Sequence, residues 1–127
     1  MTGPIVFHGH HDASLSLYLD GLGDAVEIHP PGTPARDMER LSRAGLVVHV
    51  RGFERAIRSG LDAELACRGI PRAWFTDDDL TALRGEQPGF GFYTEGRLRR
   101  FAAGMAALIG TTPALCARLG AFHDRVL

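Results

Sequence analysis

The residues best suited to chemistry in this chain fall in two short runs. "HGHHD" at 8–12 spaces His8, His10 and Asp12 two residues apart. Two imidazoles and a carboxylate are suitable zinc ligands, so the run supports a metal-dependent hydrolase as one reading. Outside the run only His29, His49 and His123 remain to complete such a site, and His29 and His49 stand near predicted strand ends. Without a metal, His8 or His10 serves as a general base, since imidazole titrates near neutrality. The plain alternative is a polar loop in which Asp12 caps the following helix. The second run is "FTDDDL", where Asp77, Asp78 and Asp79 adjoin. Asp77 and Asp79 offer the hard oxygens a divalent cation takes. The same acids also suit a helix start, as an N-cap and as negative charge at the positive end of the helix dipole.

These residues need elements to position them, and the chain alternates apolar runs with helical patterns. Residues 4–8, 25–29, 46–50, 72–75 and 106–110 read as buried strands, and "DRVL" at 124–127 as the opening of one more. Between them, Leu15, Tyr18, Leu19 and Leu22 form one helical stripe. Thr33-Pro34 starts a helix that turns Met38 and Leu41 inward and ends near Gly45. Phe53, Ile57, Leu61 and Leu65 form the stripe of a helix ending at Gly69, with Pro71 beyond. Thr94 caps a helix carrying Leu98, Phe101, Ala102 and Met105. Thr112-Pro113 starts the last, with Leu115 and Leu119. The pattern predicts a single α/β domain over 1–127: a Rossmann-like three-layer αβα sandwich with a mainly parallel sheet, in the order 3-2-1-4-5. In such sheets ligands bind at the carboxyl ends of the strands. His8, Gly9 and His10 follow the first strand, Arg51 the third, Asp77–Asp79 the fourth, and Thr111 and Thr112 the fifth.

Composition narrows the function. The chain has 127 residues, 45% hydrophobic and 23% charged, which suits one globular core. A net charge of −1 provides no field for nucleic acid or an anionic membrane. Lys and Asn are absent, which reads as a bias of the encoding genome and excludes a Schiff-base or P-loop lysine. It also excludes a phosphoacceptor receiver domain, which needs a Lys after the last strand. Cys67 and Cys116 read as buried free thiols. No signal peptide or membrane-length apolar run is present, so a cytoplasmic protein is expected. No strand leads into G-x-G-x-x-G, so no dinucleotide cofactor is expected.

Taken as one unit, "LVVHVRGFERAIRSGLDAELACRGIPRAWFTDDDL" (46–80) resembles a segment of bacterial-type two-domain (GT-B) glycosyltransferases. There an apolar strand ends in Arg, and a helix, a basic-Gly-Ile-Pro turn, another strand and an acidic run follow. Arg51, Arg68-Gly69-Ile70-Pro71 and Asp77-Asp78-Asp79 hold those places. "MAALIGTTPALCARL" (105–119) is similar to the family's strand–Ser/Thr–Thr-Pro-x-Leu element. The resemblance covers 46–127, although Asp78 replaces the family's usual hydrophobic residue between the first two acids.

The resemblance implies the N-terminal, acceptor-side half of a transferase that moves a sugar from a nucleotide-sugar donor to a small-molecule or glycan acceptor. The donor pocket then belongs to a second domain, supplied by a partner chain or another copy, and this chain alone is expected to be inactive. Gly9, Arg51, Asp77, Asp78, Asp79, Thr111 and Thr112 become the substrate-binding candidates, with His8 and His10 the catalytic ones. Arg51 suits an anionic acceptor or donor phosphate, or else a surface ion pair. Thr111 and Thr112 can donate hydrogen bonds in the cleft, Thr112 also as a cap. No metal is implied at the acids, because such enzymes generally transfer without one. A non-catalytic α/β binding or assembly module is the other class left open.

Overall fold

The computed structural model describes residues 3–9, 15 and 18–127. Five strands form one all-parallel sheet: β1 (Ile5–His8), β2 (Val26–His29), β3 (Leu46–Val50), β4 (Arg72–Thr76) and β5 (Ala107–Gly110). Helices flank it in a Rossmann-like three-layer sandwich: α1 (Pro34–Leu41), α2 (Glu54–Arg58), α3 (Leu61–Cys67), α4 (Leu80–Arg84), α5 (Glu95–Ala103) and α6 (Pro113–Leu119). The expected fold class therefore holds. No helix among the described residues is long and apolar enough to cross a membrane.

The strand order is β2-β1-β3-β4-β5, which corrects the expected 3-2-1-4-5. The chain crosses from β2 back over β1, so β3 lies in the middle and β2 at the edge. The reason is visible in the side chains. β3 is "LVVHV" and almost wholly buried, while β2 is "VEIH" and only half-buried throughout. An edge strand tolerates Glu27, which pairs with Arg40 of α1; a central strand does not.

Side chains sort onto the two faces by strand alternation. On one face Val6, Val47 and Leu41 pack with Leu61, Leu65 and Ile70, beside an aromatic cluster of Phe53, Trp74 and Phe101. Phe53 stacks on Phe101 at 4.0 Å between centroids and meets Trp74 edge-on at 5.4 Å. On the other face Phe7, Val48, Val50 and Phe75 pack with Leu15 and Leu19. Each fully buried Leu removes enough apolar surface from water to contribute about 1.5–3 kcal/mol.

The helix starts follow the capping residues. Thr33, Thr94 and Thr112 accept from the amides of Arg36, Arg97 and Leu115. α5 and α6 bury the expected Leu98, Phe101, Ala102, Leu115 and Leu119. The single helix expected before Gly69 is instead two, α2 and α3. Gly60 adopts a left-handed conformation (φ 76°) that ends the first and begins the second. Ile57, expected inward, is consequently exposed, as are Tyr18 and Leu22. Cys67 is also exposed rather than buried, and Cys116 is half-buried; both are free thiols. The C-terminal segment forms a parallel bridge, Leu108 to Val126, beside β5. The amides of Leu108 and Gly110 donate to the carbonyls of Arg125 and Leu127.

Candidate functional site

In the observed order the chain leaves β1 in one direction and β3 in the other. The carboxyl ends of β1 and β3 are therefore the topological switch point, where ligands of open α/β sheets bind. A cavity of about 310 Å³ opens there. Its walls include His8, Gly9, His49, Arg51, Gly52 and Arg55.

The strand register assembles one row across the sheet: His29, His8, His49, Trp74, Leu108. In-register neighbours of parallel strands face the same way, so three imidazoles stand side by side. His8 and His29 stack, with centroids 5.4 Å apart. The Nδ1–H of His8 donates to the His29 carbonyl at 2.9 Å. This fixes the tautomer and turns Nε2 toward Asp37, whose Oδ2 is 3.8 Å away. Burial pulls the His8 pKa below its ordinary value, against the opposing effects of that hydrogen bond and the Asp37 charge.

Asp37 arises from the first turns of α1 and is 2% exposed. Its Oδ1 accepts from His29 Nε2 at 3.0 Å and from the Gly32 amide at 2.9 Å. Arg55 reaches in from solvent, 3.8 Å from Oδ2, and donates to the Gly32 carbonyl. His49 has a separate acid. Its Nε2–H donates to Asp62 Oδ1 at 2.9 Å, while Arg72 grips both Asp62 oxygens at 2.9 and 3.3 Å. Burial pushes the Asp62 carboxyl up, but the hydrogen bonds from His49 and Arg72 outweigh it and hold the group at about 2.

Two backbone features tighten this corner. Gly9 lies so close to β3 that a Cβ there would stand 2.6 Å from the Val50 Cβ. Arg51 is left-handed (φ 59°), the one non-glycine among the described residues with positive φ. It is held there because its amide donates to the Phe75 carbonyl at 2.7 Å and its carbonyl accepts from Trp74 Nε1 at 2.6 Å. A strained non-glycine residue persists only where its surroundings determine it, and such residues cluster at functional sites.

The sequence-predicted residues divide between this cavity and places beyond it. His8, Gly9 and Arg51 line it. His10 and Asp12 lie outside the described residues, and with them the expected His8/His10/Asp12 set and the Asp12 cap. The three aspartates go three ways. Asp77 pairs with Arg51, Oδ1 to Nε at 2.8 Å and Oδ2 to Nη2 at 3.0 Å, so the expected capping role of Asp77 is corrected to an ion pair. Asp78 is exposed, and its backbone closes a turn with the Thr76 hydroxyl. Asp79 is the N-cap of α4, accepting from the Thr81 and Ala82 amides, and it also meets Arg118. Slight burial raises the Asp79 carboxyl, but the Thr81 hydroxyl, which donates to Oδ1 at 2.7 Å, together with those amides and the Arg118 charge carries it below the usual range.

Asp79 and Arg118 line a different pocket, of about 440 Å³. Thr112 caps α6, and Thr111 is half-buried at the end of β5. That strand lies two spacings, roughly 10 Å, from β3, so neither threonine reaches the cavity wall.

Asp37 is the functional candidate that spacing did not disclose. A signal was present: Asp37 and Leu41 stand four apart on one helix face, and Leu41 is fully buried. His8, His29 and Asp37 are, among the described residues, the group of His, Cys, Asp or Glu side chains able to converge on one ion, with donor atoms all within 4.8 Å of one another. No protein-family model, no curated protein and no solved structure matches this chain.

Proposed function

We propose that this domain is the acceptor-side half of a nucleotide-sugar-dependent glycosyltransferase, acting with a donor-binding domain or partner chain. The observation that carries the reading is the Arg51–Asp77 pair across the ends of β3 and β4. It joins two of the motif positions that carry the resemblance, beside a cavity at the switch point. Arg51 and Arg55 line the cavity, paired with Asp77 and Asp37, and a guanidinium suits a phosphorylated or carboxylated sugar. His8 lines the cavity beside them, with Nε2 the ring nitrogen left to meet a ligand. The reading draws on the rim of the sheet and the order of the motifs, while the 2-1-3-4-5 order departs from the one expected.

The test is an NMR titration with phosphorylated and uncharged sugars, paired with a transfer assay on nucleotide sugars. Phosphorylated sugars should shift the amides of Gly9, Arg51 and Gly52, and the chain alone should transfer no sugar. Donor and acceptor must be held together, and that positioning is worth about 7–11 kcal/mol of barrier. Robust transfer by this chain alone, or shifts confined to surfaces away from the cavity, would overturn the reading.

A further inference from the structure

We propose that His8, His29 and Asp37 form a binding site for a borderline divalent metal of the zinc type. The three come from the ends of β1 and β2 and from α1, so they are adjacent only in the fold. His29 Nε2 lies 3.0 Å from Asp37 Oδ1, and His8 Nε2 lies 3.8 Å from Asp37 Oδ2. The donor atoms lie within 4.8 Å of one another, and tetrahedral ligands on bonds of about 2.05 Å stand about 3.3 Å apart, so the side chains must close in slightly around an ion.

The surrounding hydrogen bonds match those of a metal centre. A ligating histidine normally donates its other ring N–H to a carbonyl or carboxylate, and a ligating carboxylate is itself hydrogen-bonded. His8 donates Nδ1–H to the His29 carbonyl, and Asp37 Oδ1 accepts from the Gly32 amide. His8 Nε2 has no hydrogen bond among the described residues and is 3.8 Å from the carboxylate, a gap that suits a cation.

Two imidazoles among three donors favour zinc, cobalt or nickel over magnesium or calcium. On binding, the His29 proton moves through solvent from Nε2 to Nδ1, so the ring stays neutral and the metal takes the Nε2 lone pair. Arg55, half-exposed and 3.8 Å from Asp37 Oδ2, swings outward. Three protein ligands leave a coordination position open. His8 and Arg55 belong both to this cluster and to the cavity wall, so the ion borders the cavity. One carboxylate leaves the ion with net positive charge, and the ligand class for the open position is therefore an anion.

The test uses isosteric variants of the full chain. His8→Asn keeps a donor where Nδ1 stands and removes Nε2. His29→Gln keeps a donor to Asp37 and removes the ring. Both retain the hydrogen bonds seen here, so a purely structural cluster would lose little from either. Expected are one Co²⁺ bound per chain with visible d–d absorption, and a melting temperature that Zn²⁺ raises and EDTA restores. Each variant should weaken Co²⁺ affinity by at least ~100-fold, more than supporting hydrogen bonds alone account for, with metal-free melting almost unchanged.

Zinc X-ray absorption on the wild-type chain provides a readout independent of how the variants fold, and should count two imidazole nitrogens. Absence of stoichiometric Co²⁺ or Zn²⁺ binding, unchanged affinity in both variants, or a zinc shell without imidazole would overturn the site.

Discussion

His8 and His49 sit side by side in register, both buried, each with an aspartate from a covering helix, yet their surroundings differ. The His49 network is closed. Asp62 takes one hydrogen bond from the imidazole and two from Arg72, and the guanidinium and carboxylate are both largely buried. The His8 network is open. Its Nε2 stops 3.8 Å short of Asp37, and the nearby cation, Arg55, is half in solvent. A closed network rigidifies a fold, whereas an open one leaves a donor atom for a ligand. The same residue types at the same sheet level thus serve packing on one strand and are available for chemistry on the next.

The largest effect should come from neutralising the closed network. Asp62→Asn leaves Arg72 buried without a counter-charge and should cost about 3–5 kcal/mol in urea unfolding. Asp37→Asn keeps an acceptor for His29 and Gly32 and should cost only about 1 kcal/mol. Equal losses would abolish the distinction between the two networks.

Acid should separate them next. The folded Asp62 carboxyl is depressed from 3.8 to about 2. Its contribution is therefore complete above 3.8 and disappears as pH falls through about 2. Wild type should lose about 2 kcal/mol relative to Asp62→Asn across that window, read from unfolding midpoints at successive pH values. Parallel curves would mean that the pair does not hold the carboxylate.

The third acid group calibrates the scale. Asp79 caps a helix near the surface, and Asp79→Ala should cost about 1 kcal/mol in the same unfolding assay. Smallest of all is the response of the aspartate run to Mg²⁺. Asp77 faces Arg51 and Asp79 faces backbone amides, so millimolar Mg²⁺ should leave the melting temperature unchanged to within about a degree. A rise of several degrees that chelator reverses would restore the cation reading of that run.

Much of this fold was legible in the sequence because strands and caps are local. "LVVHV", the three Thr-initiated helices and the stop at Gly69 follow from adjacent residues. Strand order is not local. It depended on Glu27 marking β2 as an edge, a single charge in a short apolar run. The break at Gly60 was hidden because the apolar stripe continues through it at helical spacing. Within the site, His29 and His49 were readable as strand-end imidazoles, but their partners were not. Asp37 and Asp62 come from helices, and only the tertiary fold decides which strand each helix covers. Arg51 followed by Asp77 was readable as two motif positions, not as one ion pair.

The bridge between Leu108 and Val126 has a consequence for how the molecule behaves in a crowded solution. β5 would otherwise present the amides of Leu108 and Gly110 along an open sheet edge, a template on which a second chain could add a strand. The segment from Arg125 to Leu127 occupies those amides, leaving charged, half-buried β2 as the opposite edge. Without those three residues both amides would face solvent along β5 and Val126 would leave the cluster it packs against, so that edge would become a template for self-association.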